Sequence, residues 1–463
     1  MGEQSALHSF LSELSGLVWG PVLLVLLVGT GVYLTLRLGF LQFKTLPYAL
    51  RLAFKPDKKK KPGEKGDISH YQALTTALAA TIGTGNIAGV ATAVVLGGPG
   101  AVFWMWITAV FGMATKYAEA VLAVKYRIEG KDGQMSGGPM YYLSRGLKTK
   151  WLGKPLGILF ALFGAVAAFG IGNMVQSNSV SDVVEGTFNI SPWVTGIVLT
   201  LLAGLVLLGG IKSIGRVTAL FVPVMAVFYV IGALIILVLN ADLILPAFGT
   251  IFSDAFTANA VGGGILGSVI RYGVARGVFS NEAGLGSAPI AAAAARTDYA
   301  GRQALVSMTQ VFIDTIIVCT LTGLTIVMAG QYQGGLDGAD LTSASFELFL
   351  GEFGSYIVTI GLIFFAFSTI VGWSYYGEKC FGYLTNQRFI GLYKIVFVAF
   401  VLVGAVSQLS TVWVFADVMN GLMAFPNLIG LLLLSGVVAA ETNKFLKVAK
   451  QEKQQEKEQR QVG

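Results

Sequence analysis

Ala79-Ala80-Thr81-Ile82-Gly83-Thr84-Gly85-Asn86-Ile87-Ala88-Gly89 is a run of small and polar residues inside a segment otherwise apolar enough to cross a membrane. Its three glycines weaken a helix without supplying the charge of a soluble loop. In hydrocarbon, freed N–H and C=O groups are tolerated only where they meet a partner, a cavity or a ligand. The stretch therefore reads either as a helix broken on purpose or as glycines that let two helices pack closely.

The surrounding chain decides the setting. Of 463 residues, 54% are hydrophobic and 12% charged, against about 25% charged in soluble domains. Apolar blocks of spanning length recur along the chain, which predicts an all-α polytopic membrane protein. No basic n-region precedes the first block, so no cleavable signal peptide is expected. Eleven spans are predicted near 17–36, 72–96, 100–124, 155–180, 193–210, 216–239, 262–290, 303–329, 353–377, 389–408 and 412–439. The net charge of +7 is topogenic rather than a nucleic-acid footprint. Lysines and arginines collect in the loop from Arg37 to Lys65, in the loop from Lys125 to Lys154, and in the tail from Lys444. Segments 1–16, 97–99, 181–192, 240–261, 330–352 and 409–411 hold none. By the positive-inside rule the N-terminus is outside and the C-terminus cytoplasmic, in a plasma membrane. The run Lys58 to Lys61 serves orientation and attraction to anionic lipid. The charged, Gln-rich tail is expected to be largely disordered.

The chain divides into 1–71 (extracellular N-terminus, an extra helix and a basic cytoplasmic loop), 72–240, 241–440 and the tail 441–463. Each middle part holds five spans. Five is odd, so the halves are inverted, a 5+5 inverted repeat plus one extra N-terminal helix. The first span of each half is the interrupted one. In the second half the interruption reads Gly273, then Gly277-Val278-Phe279-Ser280-Asn281-Glu282-Ala283-Gly284-Leu285-Gly286. Matched interruptions in inverted halves point to a transport site near mid-membrane.

At such breaks, N–H groups suit a carboxylate and carbonyls suit a hard cation. The carboxylate falls to N–H groups near Thr84 and Gly85, joined by the Thr84 hydroxyl. Asn173 and Gln176 are three apart on one helical face, and either contact substrate or tie helices together. Phe279, Ser280 and Asn281 sit at the second break. Ser368 and Thr369 either complete a carboxylate-free oxygen shell suited to Na+ or bond to their own helix. Charged residues within spans are Lys116, Glu119, Arg271, Arg276, Glu282 and Asp314. Lys116 and Glu119 form a candidate pair, and Arg276 with Asp314 another, as an outer gate or a structural ion pair.

Cys319 and Cys380 predict neither a disulfide nor a metal cluster, and both histidines, His8 and His70, fall outside the spans. An intramembrane enzyme is thereby disfavoured, with no histidine relay and no Gly-x-Ser-x-Gly elbow. Thr81 to Gly85 superficially matches a potassium-channel filter, which needs fourfold repetition around a pore. Nothing calls for an obligate protein partner.

The stretch from Gly97 to Gly112, GGPGAVFWMWITAVFG, resembles the signature of the alanine or glycine:cation symporters, as do Gly112 to Tyr117 and Arg276 to Gly284. The resemblance implies eleven helices with a leucine-transporter-type core. It also implies uptake of a small neutral amino acid, alanine or glycine with serine or glutamine as alternatives, coupled to Na+. A proton-coupled carrier of the same fold is the alternative. By the same likeness Ala79, Ile82 and Phe365 give carbonyls to a Na+ site with Ser368 and Thr369. The likeness also implies Gln176, Phe279, Asn281 and Trp373 as pocket residues. The asparagine before the glycine in leucine-type transporters is Ala80/Thr81 here, so one Na+ is expected.

Overall fold

The computed structural model describes residues 6–55, 65–130, 133–256, 267–407 and 410–462. The run Lys58 to Lys61 and the start of the seventh expected span lie outside them. Three helices lead in: α1 (Ala6–Val18), α2 (Pro21–Arg37) and α3 (Leu41–Phe54). The first half holds α4 (His70–Thr81), α5 (Val90–Gly97), α6 (Ala101–Lys125), α7 (Pro139–Gly146), α8 (Lys150–Phe169), α9 (Val175–Phe188), α10 (Pro192–Leu208) and α11 (Gly210–Leu239). Helix α12 (Ala241–Ala255) joins the halves. The second half holds α13 (Ser268–Asn281), α14 (Pro289–Ala293), α15 (Ala300–Val311), α16 (Thr320–Ala329), α17 (Gly338–Leu350), α18 (Glu352–Leu384), α19 (Ile390–Val406) and α20 (Ser410–Val462). A hairpin of β1 (Ile128–Glu129) and β2 (Met135–Ser136) follows α6.

Among the described residues, seven helices are long and apolar enough to cross a membrane, and α4 with α5 make an eighth span bent by 56°. Helices α10 and α19 are apolar but shorter. Leucines and valines of α10 and α11 face outward, as a lipid-facing surface requires. Short helices α7 and α17 interrupt the two halves at corresponding places, each between the second and third spans.

Both breaks are present, and their local causes differ. Helix α4 starts at a reciprocal capping box: Gln72 N–H donates to Ser69 Oγ (3.0 Å) and Ser69 N–H to Gln72 Oε1 (3.0 Å). It stops at Ile82, whose backbone is extended, and the chain resumes as a π-helical turn over Gly85–Gly89. In the second half α13 runs unbroken to Asn281. The break falls at Glu282, Gly284 and Gly286, all at positive φ. Gly273 and Gly277 are therefore packing glycines rather than part of the break. A Cβ on Gly273 would lie 2.6 Å from the Ala101 carbonyl oxygen, and one on Gly277 would lie 3.2 Å from Met105 Cα.

Two further expectations are corrected. The basic loop after α2 is largely helical, as α3, entered through a left-handed turn at Gly39 and Phe40. The tail is not disordered: α20 continues to Val462. Phe445 is fully buried against Gly301, and the ion pairs Lys125–Glu441 (2.6 Å) and Arg302–Glu452 (2.7 Å) tie the extension to the bundle. One buried aromatic and two anchors outweigh the polarity of a stretch rich in helix-forming Gln, Glu and Lys.

Candidate substrate and cation site

The first break meets α18 side-on. Ser368 Oγ lies 3.1 Å from the Ala79 carbonyl oxygen, 3.5 Å from that of Ile82 and 2.8 Å from that of Phe365. Thr369 Oγ1 lies 3.2, 3.4 and 3.0 Å from the same three atoms. Five neutral oxygens thus crowd one buried point. The Phe365 bonds are the helix back-bonds open to any Ser or Thr, but those to Ala79 and Ile82 cross between helices. The approach needs glycine: a Cβ on Gly83 would stand 2.5 Å from Thr369 Oγ1. Gly372, one turn on, plays the same part against Ala80. A carboxylate-free shell of carbonyls and hydroxyls fits a monovalent hard cation.

On the other flank of the break, Gln176 takes hold of Thr84. The Thr84 N–H donates to Gln176 Oε1 (3.3 Å), and Gln176 Nε2 donates to Thr84 Oγ1 (3.1 Å) and to the Ile171 carbonyl (2.9 Å). Asn173 does not share this face. The chain makes a π-helical turn over Gly170–Met174, and its extra residue rotates Asn173 away. The Asn173 amide instead donates to the Phe397 carbonyl on α19 (2.6 Å). That bond ties the π-helical turn to α19.

The two breaks touch. A Cβ on Gly85 would lie 3.3 Å from both Phe279 Cδ1 and Ser280 Cα. A polar relay then joins them through Asp314, carried on a π-helical turn over Phe312–Cys319. Asn86 Oδ1 accepts from the Gly83 N–H (2.9 Å), and Asn86 Nδ2 donates to Asp314 Oδ1 (2.7 Å). Ser280 Oγ (2.9 Å) and Thr315 Oγ1 (2.7 Å) donate to Asp314 Oδ2. Asn281 Nδ2 donates to Thr315 Oγ1 (3.2 Å), while Asn281 Oδ1 accepts from the Ala283 N–H (2.9 Å). The expected Arg276–Asp314 pair is thus replaced. Asp314 is bonded by neutral donors, and Arg276 lies over the Phe279 ring, 5.5 Å from its centroid, close to Asp417. The sequence reading singles out neither Asn86 nor Thr315, which bridge the two breaks here. Asn86 stands inside the stretch 79–89, which is a signal for it; for Thr315 the sequence offers none.

A buried splint holds the second break. Lys116 and Glu119 on α6 pair at 3.8 Å. Lys116 Nζ donates to the Glu282 carbonyl (3.0 Å), at the negative end of α13. Glu119 Oε1 accepts from the Gly284 N–H (3.1 Å) and from Asn427 Nδ2 (2.6 Å). The Glu282 carboxylate accepts from Ser287 Oγ (2.5 Å) and Trp373 Nε1 (2.9 Å). Trp373 therefore stands against the second break, packed on Gly172.

Access differs at the two ends. At the end carrying α1 and the start of α20, a cleft of about 470 Å³ has Phe279 in its wall with Ser15, Trp19, Arg271, Arg276 and Asp417. At the opposite end the segment before α4 bridges to the segment after α14 at Lys65–Thr297 and Ile68–Ala295. Arg127 clasps them, donating to the carbonyls of Ala293 (2.9 Å), Ala295 (2.6 Å) and Lys65 (2.8 Å).

The profile of the sodium:alanine symporter family matches residues 4–460. The chain belongs to that family. It is 61% identical over 448 residues to the sodium/alanine symporter AgcS of Methanococcus maripaludis, covering 96% of this chain and 98% of that protein. It is 38% identical to the "Probable sodium/glutamine symporter GlnT" of Bacillus subtilis, covering 94% of this chain and 90% of that one. Among solved structures, MhsT in complex with L-phenylalanine superposes with a TM-score of 0.59 at 15% identity, over 82% of this chain and 93% of that one. That likeness shows the leucine-transporter-type fold. As a family member, the chain is a multi-pass sodium-coupled amino-acid symporter, not an enzyme.

Proposed function

We propose that this family member imports a small neutral amino acid, alanine or glycine before serine or glutamine, with one Na+ by alternating access. The observation carrying the reading is the meeting of five neutral oxygens from Ala79, Ile82, Phe365, Ser368 and Thr369 beside the Gln176–Thr84 contact. Likeness to a sodium/alanine symporter puts alanine first, and likeness to a probable sodium/glutamine symporter keeps glutamine in view. Na+ sits between α4 and α18 and draws them together. The substrate carboxylate takes the N–H groups near Thr84 and Gly85, where Gln176 yields or shares its bonds. The side chain points toward Phe279, Ser280 and Asn281, with Trp373 beside the second break. Phe279 and Ser280 pack close against Gly85, which favours a small side chain.

The reading includes eleven spans, repeats over 72–240 and 241–440, an outside N-terminus and a cytoplasmic C-terminus. The cleft ending on Phe279 is then the outer entry and the Arg127 clasp the inner closure. Rocking of one against the other moves the load. The membrane potential adds about 2.3 kcal/mol per charge per 100 mV to inward Na+ movement.

A proton-coupled reading has a specific residue behind it. Asp314 is a buried carboxylate between the two breaks, bonded by neutral donors that serve either protonation state. Radiolabelled alanine uptake into proteoliposomes separates the two. A Na+ gradient at fixed pH is expected to drive accumulation. Uptake driven by a pH gradient without Na+ would overturn the Na+ reading in favour of Asp314. Competition by a panel of amino acids ranks the substrates.

A further inference from the structure

Helix α3 presents two adjacent faces. Lys44, Tyr48, Arg51 and Lys55 recur at a helical spacing and line a cavity of about 410 Å³. Phe43 and Phe54, eleven residues apart on the neighbouring face, are 56% and 59% exposed. The far wall of the cavity is built by Arg302 and by the extended α20, through Glu452 and Lys453. Arg302 is held rigid there. Its guanidinium bonds Glu452 at 2.7 Å and Asp298 at 2.8 Å, and it lies over the Phe445 ring at 5.4 Å. Five cations thus meet one lining carboxylate, beside the apolar walls of Pro47 and Leu52. The cavity opens at the end of the bundle where α2 ends and the Arg127 clasp lies.

We infer that the cavity between α3 and the C-terminal extension of α20 is a binding site for the phosphate headgroup of an anionic phospholipid. Charge selects the headgroup. The exposed aromatic face of α3 sits at the headgroup–acyl boundary and directs the chains into the bilayer. The helical tail has a use in this arrangement: it closes the pocket that α3 alone would leave as an open basic surface. The inference stands apart from the transport reading, because lipid retention reports it and uptake does not.

The test is native mass spectrometry of the full chain in detergent, titrated with phosphatidylglycerol or phosphatidylcholine. Phosphatidylglycerol should be retained over phosphatidylcholine. Lys44→Gln with Arg51→Gln should weaken its retention about 30-fold. Lys148→Gln with Lys150→Gln, at the same membrane face outside the cavity, should leave it unchanged, and Arg51→Lys alone should keep most of it. Millimolar inorganic phosphate should fail to displace the lipid. Equal loss in both double variants would make the attraction diffuse surface charge. Displacement by inorganic phosphate would make the site one for soluble anions. Unchanged retention in the cavity variant would remove the site. Any of these three overturns the inference.

Discussion

Thr369 and Gln176 divide the labour of the first break. Thr369 Oγ1 faces three carbonyls at 3.0–3.4 Å and offers no contact specific to an amino acid. Its loss should act on the cation. Thr369→Ala is expected to raise the Na+ concentration for half-maximal alanine uptake about 10-fold, the cost of one polar interaction, while Thr369→Ser retains it. Gln176 holds Thr84 by both ends of its amide. Gln176→Ala should chiefly raise the KM for alanine, again about 10-fold, with little change in Na+ dependence. Steady-state uptake at varied alanine and Na+ reads both; unaltered kinetics in the two variants would remove the site from this break. Gly83→Ala should abolish uptake, because the added methyl would stand 2.5 Å from Thr369 Oγ1 and separate the oxygens.

Broken helices need scaffolding, and α6 supplies it for α13 and α14. The Lys116–Glu119 pair is buried on both sides and spends its hydrogen bonds on the unwound backbone at Glu282 and Gly284. Breaking a buried pair from one side leaves a charge without compensation, at about 3–5 kcal/mol. Lys116→Met should therefore lower thermal stability in detergent more than Lys116→Met combined with Glu119→Gln. A loss in the double variant as large as or larger than in Lys116→Met would mean that the charges do not act as a pair. The extension of α20 gives a second test. Phe445 is fully buried, so Phe445→Ala should cost about 3–5 kcal/mol locally and unlatch the tail. Hydrogen exchange across residues 444–452 should be slow in the native chain and fast in that variant. Fast exchange in both would return the tail to disorder.

Across the bundle, Arg127 clasps two segments at one end, and the cleft that reaches Phe279 lies at the other. Arg127 donates to three carbonyls from two segments, one leading into α4 and one at the end of α14 and just after it, so its removal should free both together. Arg127→Gln should shift the population toward opening at that end. With Ala295→Cys as the reporter, thiol modification by a charged maleimide should speed up severalfold, and alanine with Na+ should alter that rate. Equal rates with and without Arg127 would show that the clasp does not gate access. Phe279 lies in the wall of the opposite cleft.

Apolar periodicity, the count of basic loops and paired glycine runs were enough to read a polytopic helical bundle with two interrupted spans. The reason is that the bilayer leaves so few options for an unpaired backbone. Spacing also brought Ser368 and Thr369 to notice, since hydroxyls in a span need partners. The partners themselves came from packing. Whether a glycine breaks a helix or admits a neighbour depends on what lies opposite, which is why Gly273 and Gly277 pack while Gly284 and Gly286 turn. An added residue in a π-helical turn rotated Asn173 off the face of Gln176, and no local pattern announces such a turn. Asp314 found Asn86 and Ser280 instead of Arg276 because charge selects a sign, whereas the fold selects which groups come within 3 Å. The tail became helix for a similar reason. Its few apolar residues are too weak in isolation and sufficient once Gly301 offers Phe445 a place to bury.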